Sequence, residues 1–319
     1  MRRRFDVKIA AIINPVSGAG LDPTIAPRRV ALIRSELERD AIESSIALTE
    51  RAGHARELAA AAVAARADIV IVWGGDGTVN EVGAALIGTD TALGLVRAGS
   101  GNGLAAALGV PRDPQVAVRA ILSGAIGRID AGMLGNRPFF NVGGIGFDAR
   151  VAALFNQRAR GSRGRWPYVS IAIREGCRYC AHQYEIELDG DRRRLNAFLM
   201  VFANGTEFGM GARIAPGALL DDGLLDATIV EERGVLARFW DARHLAFGTT
   251  ERAPRVLVRP VRHAIVRSQE PIEFHVDGEP GVAESPIEVT VAPAVLRVAG
   301  WGNREGVPLQ REFRSRSSA

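Results

Sequence analysis

Three short stretches rich in Gly, Ser, Thr and Asn have the composition of phosphate cradles. The sharpest is Gly74-Gly75-Asp76-Gly77-Thr78-Val79-Asn80-Glu81, just after Trp73. Glycines let a backbone approach a ligand closely, and a helix start offers free N–H groups to an anion. A plain strand-to-helix turn uses the same residue types, so this stretch alone does not decide. Two others stand at equivalent places: Asn14-Pro15-Val16-Ser17-Gly18 and Gly99-Ser100-Gly101-Asn102-Gly103. None has the GxxxxGK[ST] spacing of a P-loop or the GxGxxG spacing of a dinucleotide fingerprint.

The elements around them explain why they would converge. Apolar runs at 7–13, 69–73 and 92–96 read as buried strands, and 45–48 as a shorter one. Helical patterns lie at 26–39, 53–66, 78–87, 102–108 and 114–122. This alternation predicts crossover units and a largely parallel sheet, whose carboxyl-terminal strand ends line one crevice. The three loops then make one nucleotide site. Beyond about residue 125, short alternating strands are expected at 126–134, 184–188, 195–203, 225–230, 255–260, 264–268, 272–276 and 287–291. Turn signals such as Asp189-Gly190 and Asp222-Gly223 separate them, which predicts an antiparallel sandwich or barrel. Helical patterns near 147–160 and 235–247 interrupt them, and the polar Arg/Ser-rich stretch after Gly300 is expected to fray.

Composition sets the bounds. The chain has 319 residues, 47% of them hydrophobic and 24% charged, ample for two domains with a core. There is no run of about 18 uncharged apolar residues to span a bilayer, and the run at 9–13 is too short for a signal peptide. The expectation is a cytoplasmic protein. Cys177 and Cys180 form the one CxxC; without a second pair they read as ordinary thiols, on one helix face. The net charge is +4, and Lys8 is the only lysine, so the cations are almost all arginine. Guanidinium suits phosphate, but no nucleic-acid motif or aromatic stacking pattern accompanies it.

In order along the chain, Asn14-Pro-Val-Ser-Gly18, Gly74 to Glu81, Gly99-Ser-Gly-Asn102, Gly143-Gly-Ile-Gly-Phe-Asp148, Leu220-Asp-Asp-Gly-Leu-Leu-Asp226 and Val276-Asp-Gly-Glu279 are similar to the motifs of the diacylglycerol kinase catalytic-domain family. That family includes bacterial soluble lipid kinases and, more distantly, sphingosine and ceramide kinases. The resemblance covers about 8–298. It implies an α/β plus β fold: a Rossmann-like, NAD kinase-like domain over 1–130 and an antiparallel β-sandwich over 131–292, with 293–319 packing back on the first.

The resemblance also implies ATP and Mg²⁺ as cofactors, and a lipid acceptor at a membrane surface. Nucleotide contacts would fall on Asn14, Pro15, Ser17, Gly18, Thr49, Gly74, Gly75, Asp76, Gly77, Thr78, Asn80, Ser100 and Asn102. Asp277 and Glu279 would be catalytic, with Asp277 favoured as base and Glu279 as partner or alternative. The rival reading of Asp277-Gly278 is a plain hairpin turn. A structural Mg²⁺ would be bound by the Asp222 side chain and the carbonyls of Leu219 and Leu224, with Asp130 linking to it. Asp76 would face a second Mg²⁺ that arrives with ATP. His54 reads as a helix-start residue. Gly103 stands where many bacterial members carry Asp; the long-chain-base branch likewise lacks that Asp, and this loosens the expected ion network. Phe139, Phe140, Phe147 and Phe208 are acyl-pocket candidates, although core packing suits each of them. Peripheral membrane contact is expected between Arg158 and Trp166, whereas Arg2, Arg3 and Arg4 read as a basic end. Three alternatives stay open: a sphingosine-type kinase, an NAD kinase-like enzyme for a soluble metabolite, and a non-catalytic binding protein. The oligomeric state is open too.

Overall fold

The computed structural model describes residues 7–18, 22–98, 101–158, 165–206, 213–235, 237–238, 244, 249 and 252–301. Arg2, Arg3, Arg4, Ser100, Phe208 and most of the helix expected at 235–247 lie outside them. So do the side chains between Arg158 and Trp166.

The first half alternates as expected: β1 (Lys8–Ile13), α1 (Ile25–Arg39), β2 (Glu43–Leu48), α2 (His54–Ala64), β3 (Ile69–Gly74), α3 (Asp76–Leu86) and β4 (Ala92–Arg97). The four strands are parallel, in the order β2-β1-β3-β4. Their side chains follow the period of two that a sheet buried on both faces requires. Ile9, Ala11, Ile13, Ile69, Ile71 and Trp73 pack on one face with Ile33 and Leu37 of α1. Ala10, Ile12, Val70 and Val72 pack on the other with Ala55 and Ala59 of α2 and Val79 and Val82 of α3. The chain leaves β1 in one direction and returns on its other side. The gap between the carboxyl ends of β1 and β3 is therefore the topological switch point, where ligands bind in such sheets.

Helices α4 (Gly103–Ala107) and α5 (Pro114–Ser123) follow. Asp113 starts α5 by accepting the Val116 N–H at 2.9 Å, with Pro114 in the first turn. Next come β5 (Ala125–Leu134), β6 (Arg137–Phe139), β7 (Val142–Gly146), α6 (Phe147–Arg158), α7 (Arg165–Gly176), β8 (His182–Leu188), β9 (Asp191–Ala203), β10 (Leu225–Glu231), β11 (Val256–Val261), β12 (His263–Arg267), β13 (Ile272–Val276), β14 (Glu279–Ala283) and β15 (Ile287–Trp301). These strands pair antiparallel around a second core that contains Phe139, Met200, Phe202 and Phe274. The fold is thus α/β plus β.

Three strands were not expected: β6, β7 and β14. Cys177 and Cys180 lie beyond the end of α7, both exposed, and do not share a helix face. Phe139 and Phe140 are fully buried core residues. Phe139 fills space that Gly132 and Gly143 leave, and Phe140 fills space beside Gly83; burying such a ring contributes roughly 2–3 kcal/mol. Phe147 is partly buried and stacks on Phe198, ring centroids 4.4 Å apart.

The stretch expected to end near residue 291 runs on as β15. It pairs antiparallel with β12 and β5 up to Ala292, breaks register around Ala294, and resumes at Leu296. Val298 then pairs parallel with Leu93 of β4. One strand therefore joins the parallel and antiparallel parts into a single continuous sheet. No described helix is long and apolar enough to cross a membrane.

Candidate active site

The loops after β1, β3 and β4 meet at the switch point, and side chains bind them to one another. The Asn14 N–H donates to the Trp73 carbonyl, and its side-chain amide donates to Thr78 Oγ1, both at 2.9 Å. The first loop is held from behind by Arg29 of α1, which is buried. Its two terminal nitrogens donate to the carbonyls of Asn14 and Ser17, each at 2.6 Å, and its guanidinium lies 5.4 Å from the Trp73 ring centroid. Burial lowers the Arg29 pKa, yet the paired carbonyls reward the charged form.

Asp76 ties the third loop to the second. Its carboxylate accepts the N–H of Asn102 at 2.9 Å and of Gly103 at 2.8 Å. Gly101 lies so close to Asp76 Oδ2 that a Cβ would collide with it. Burial, then the charge of Asp277, pushes the Asp76 pKa up to about 6. Helix α3 starts at Asp76, after Gly75, which has no side chain to act as a cap, and Gly74 packs tightly on Thr78, a Cβ there falling 2.6 Å from Thr78 Cβ. This is a cradle of glycine backbone at a helix start, which fits a polyphosphate. At the start of α2, Glu81 of α3 accepts the N–H of Gly53 at 2.8 Å and of Ala55 at 3.1 Å. His54 is the first residue of α2, and its Nδ1 accepts the Glu50 N–H. The Thr49 N–H donates to the Ile13 carbonyl, which places Thr49 beside the first loop.

Gly103 has a steric cause. Its Cα abuts the side-chain amide of Asn141, and a Cβ would collide with Asn141 Nδ2. The volume that an Asp would need is filled, and the Gly103 N–H serves Asp76 instead.

Opposite this cradle stands the β13–β14 hairpin. Val276 pairs with Glu279, so Asp277 and Gly278 form a two-residue loop, with φ of 48° and 87°. Two positive φ values define a type I′ turn, which is the preference of Asp-Gly. The Asp277 carboxylate is fully engaged. Oδ1 accepts the N–H of Asn141 and of Val142, both at 3.0 Å. Oδ2 accepts the Phe140 N–H and the Asn80 side-chain amide, both at 2.9 Å. Asn80 also donates to the Pro138 carbonyl at 2.9 Å, so its amide hydrogens face the hairpin. Glu279 is exposed, and its Oε1 would lie 2.6 Å from a Cβ placed on Gly77. One carboxylate of the pair is thus a clamp, and the other lies on the start of α3.

The loop at 219–224 lies against β5. Asp130, buried, donates its N–H to the Leu220 carbonyl at 2.7 Å. Its side chain accepts the Gly223 N–H at 2.6 Å and the Ala294 N–H at 2.7 Å, so it joins this loop to the break in β15. Burial raises its pKa. Asp222 Oδ1 accepts the Leu224 N–H at 3.1 Å. No group of three or more His, Cys, Asp or Glu among the described residues could hold a metal. The loop carries two carboxylates, Asp221 and Asp222, plus backbone carbonyls, an all-oxygen donor set that fits Mg²⁺ with several waters.

Arg29, Glu81 and Asn141 escape a reading from spacing, since each acts on backbone far away in sequence. Glu81 had a signal, the last position of the Gly74 stretch, but a surface helix residue reads the same way.

A sheet with its switch point at two glycine-rich loops, facing a carboxylate hairpin, defines a nucleotide-dependent phosphotransferase. The comparisons sharpen this. The diacylglycerol kinase catalytic domain matches residues 8–134, and the YegS C-terminal NAD kinase beta sandwich-like domain matches 141–300. A diacylglycerol kinase of Mycobacterium tuberculosis strain H37Rv is 32% identical over 311 residues, spanning 93% of this chain and 96% of that protein. A probable lipid kinase YegS-like protein of Chromohalobacter salexigens is 30% identical over 249 residues, 77% of this chain and 78% of that one. In fold, the chain matches a crystal structure of a diacylglycerol kinase from Bacillus anthracis with a TM-score of 0.70 at 20% identity, covering 93% of this chain and 98% of that one. The chain belongs to the diacylglycerol kinase family and is a lipid kinase. As a kinase of this family it takes its phosphoryl group from ATP.

Proposed function

We propose that the chain transfers the γ-phosphoryl group of Mg²⁺-bound ATP to a hydroxyl of a diacylglycerol-like lipid at a membrane surface. The observation that carries this reading is the Glu279 carboxylate lying on Gly77, at the start of α3. A terminal phosphate held at that helix start and an incoming alcohol would meet beside Glu279. The alcohol oxygen bonds to the γ-phosphorus, the bond to the β–γ bridging oxygen breaks, and ADP leaves. The alcohol proton passes to the Glu279 carboxylate, which is its general base. Asp277 is not the proton acceptor in this reading, because both its oxygens already accept two hydrogen bonds each.

The phosphates would be bound by Asn14, Pro15, Ser17, Gly18, Gly74, Gly75, Gly77, Thr78 and Asn102, with Thr49 beside them. Asp76 would meet the cation that travels with ATP, and that cation offsets charge on the phosphates. Asn80 would orient Asp277. A second Mg²⁺ would be held by Asp222 with the carbonyls of Leu219 and Leu224, in a structural role. The same reading divides the chain into 1–130 and 131–292, with the segment from 293 returning to the first part, 302–319 of it lying outside the described residues. The two family matches, which end at 134 and begin at 141, support a first boundary near residue 131, whereas the second match runs on to 300 and does not mark one at 292.

The test is transfer of radiolabelled γ-phosphate from Mg²⁺-ATP to mixed vesicles. These would carry diacylglycerol, monoacylglycerol, phosphatidylglycerol, sphingosine or ceramide, with free NAD as a soluble acceptor. Label in diacylglycerol that disappears in Glu279→Gln is the expected result. Label in sphingosine alone would reassign the substrate to a long-chain base, and label in NAD alone would overturn the lipid reading.

A further inference from the structure

His275 and Asp148 are a buried polar pair that the chemistry above does not use. Their side chains are 1% and 3% exposed. His275 lies on β13, directly opposite Gly144 of β7. Asp148 is the second residue of α6, which starts where β7 ends. His275 Nε2 lies 3.1 Å from Asp148 Oδ2. The other ring nitrogen, Nδ1, accepts the Gly278 N–H at 3.2 Å. An acceptor at Nδ1 requires the neutral ring with its hydrogen on Nε2, and that hydrogen points at the Asp148 carboxylate. Asp148 is held in turn, since its Oδ1 accepts the Ala149 N–H at 2.9 Å.

Gly144 makes this possible. A Cβ there would strike both Asp148 Oδ2 and His275 Nε2. That gives the Gly143-Gly144-Ile145-Gly146 stretch a reason beyond strand pairing.

Helix α6 also reaches the other side of the same residue. Asn156 donates its side-chain amide to the Gly278 carbonyl at 3.0 Å. Gly278 is thus held at its N–H, through His275 and Asp148, and at its carbonyl, through Asn156. The next residue is Glu279. Arg137 fixes the exit of the turn by donating to the Pro280 carbonyl at 2.9 Å.

We propose that His275, Asp148 and Asn156 are positioning residues for the kinase reaction: together they anchor Gly278 to α6 and so set where the Glu279 carboxylate stands. The inference rests on the reading of Glu279 as base. It makes α6 the element whose placement decides whether that base is in register with the nucleotide loops.

Two substitutions separate the halves of the His275 contact. His275→Asn keeps an acceptor near Nδ1 and loses the reach to Asp148. His275→Gln keeps a group near Nε2 and loses the acceptor for Gly278. A displacement of about 1 Å at a reacting group costs on the order of 100-fold in kcat. His275→Gln is therefore expected to lose about that much kcat, with KM for ATP unchanged within about twofold, and His275→Asn to lose several-fold less. Amide exchange at Gly278 in the full-length protein should speed up in His275→Gln and in Asp148→Ala, and far less in His275→Asn. This readout needs no lipid acceptor.

Glu279→Gln and the double variant with His275→Gln complete the set. If His275 acts through Glu279, the double variant is no slower than Glu279→Gln alone. Multiplying losses, or equal losses in the Asn and Gln variants with equal drops in melting temperature, would overturn the positioning role. A Glu279→Gln enzyme with wild-type kcat would instead overturn the base, while unchanged Gly278 exchange in His275→Gln would overturn the anchor by itself.

Discussion

Asn80 of α3 donates its side-chain amide to the Asp277 carboxylate at 2.9 Å, across 197 residues of sequence. The helix that opens at the nucleotide loop and the hairpin that carries Glu279 are thereby one piece. Asp277 completes the joint by accepting three consecutive backbone N–H groups, those of Phe140, Asn141 and Val142.

The two carboxylates of the hairpin should fail differently. Asp277→Ala leaves four donors without their acceptor, each worth roughly 1–3 kcal/mol when buried and unpaired. It should lower the chemical-denaturation midpoint strongly and remove activity with it. Glu279→Gln should keep the midpoint and lose about 10²–10⁴ in kcat. Denaturation curves beside single-turnover rates decide this, and the opposite pattern would return the base to Asp277.

Gly77 should tolerate a methyl group at the expense of catalysis. A Cβ would stand 2.6 Å from Glu279 Oε1. That oxygen ends a flexible chain on the exposed side of the hairpin, so the side chain can swing away without disturbing the core. Gly77→Ala is expected to melt within a degree or two of wild type and to lose about 100-fold in kcat, the cost of a misplaced reacting group. A lowered melting temperature with intact turnover would contradict this.

Arg29 should matter to ATP without touching it. Its paired donation to the Asn14 and Ser17 carbonyls shapes the first loop. Hydrogen bonds from a charged donor are worth roughly 1.5–3 kcal/mol each. Arg29→Leu should raise the dissociation constant for ATP and destabilise the fold, with a smaller effect from Arg29→Lys, which cannot span both carbonyls at once. Calorimetric titration with ATP is the check.

The raised pKa of Asp76 has a definite sign. The folded protein binds this proton more tightly than the unfolded chain does, at about 6 against 3.8. The stabilising contribution is therefore present at low pH and is lost as pH rises through that window. Two pKa units correspond to roughly 3 kcal/mol. With metal chelated, wild type should lose stability relative to Asp76→Asn between pH 4 and 7. A difference that stays flat over that range would show that Asp76 titrates as an ordinary carboxylate.

Much of the site could be read from the chain because strand ends and glycine loops coincide in a parallel sheet. The runs ending at Ile13, Trp73 and Val96 placed three loops on one edge, and the structure joins them through Asn14, Thr78 and Asp76. The strand β7 was missed because Val142-Gly-Gly-Ile-Gly146 has neither alternation nor β-branched density, and its pairing with β9 and β13 is a tertiary matter. The choice between Asp277 and Glu279 was equally out of reach. It depends on which of two residues in a four-residue turn faces the Phe140–Val142 backbone. The Cys pair misled for a local reason: α7 stops at Gly176, one residue before it.

The strand β15 sets the order in which the molecule can be completed. Its Val298 pairs with Leu93, while its first residues belong with β12. The parallel sheet thus gains its neighbour for β4 only after some two hundred further residues have been synthesised and the second half has begun to fold. A nascent chain that ends before β15 exposes the flank of β4, an open row of backbone donors and acceptors, to any passing strand. So long-range a closure slows folding, and the enzyme should depend on chaperones during translation more than its well-filled cores suggest.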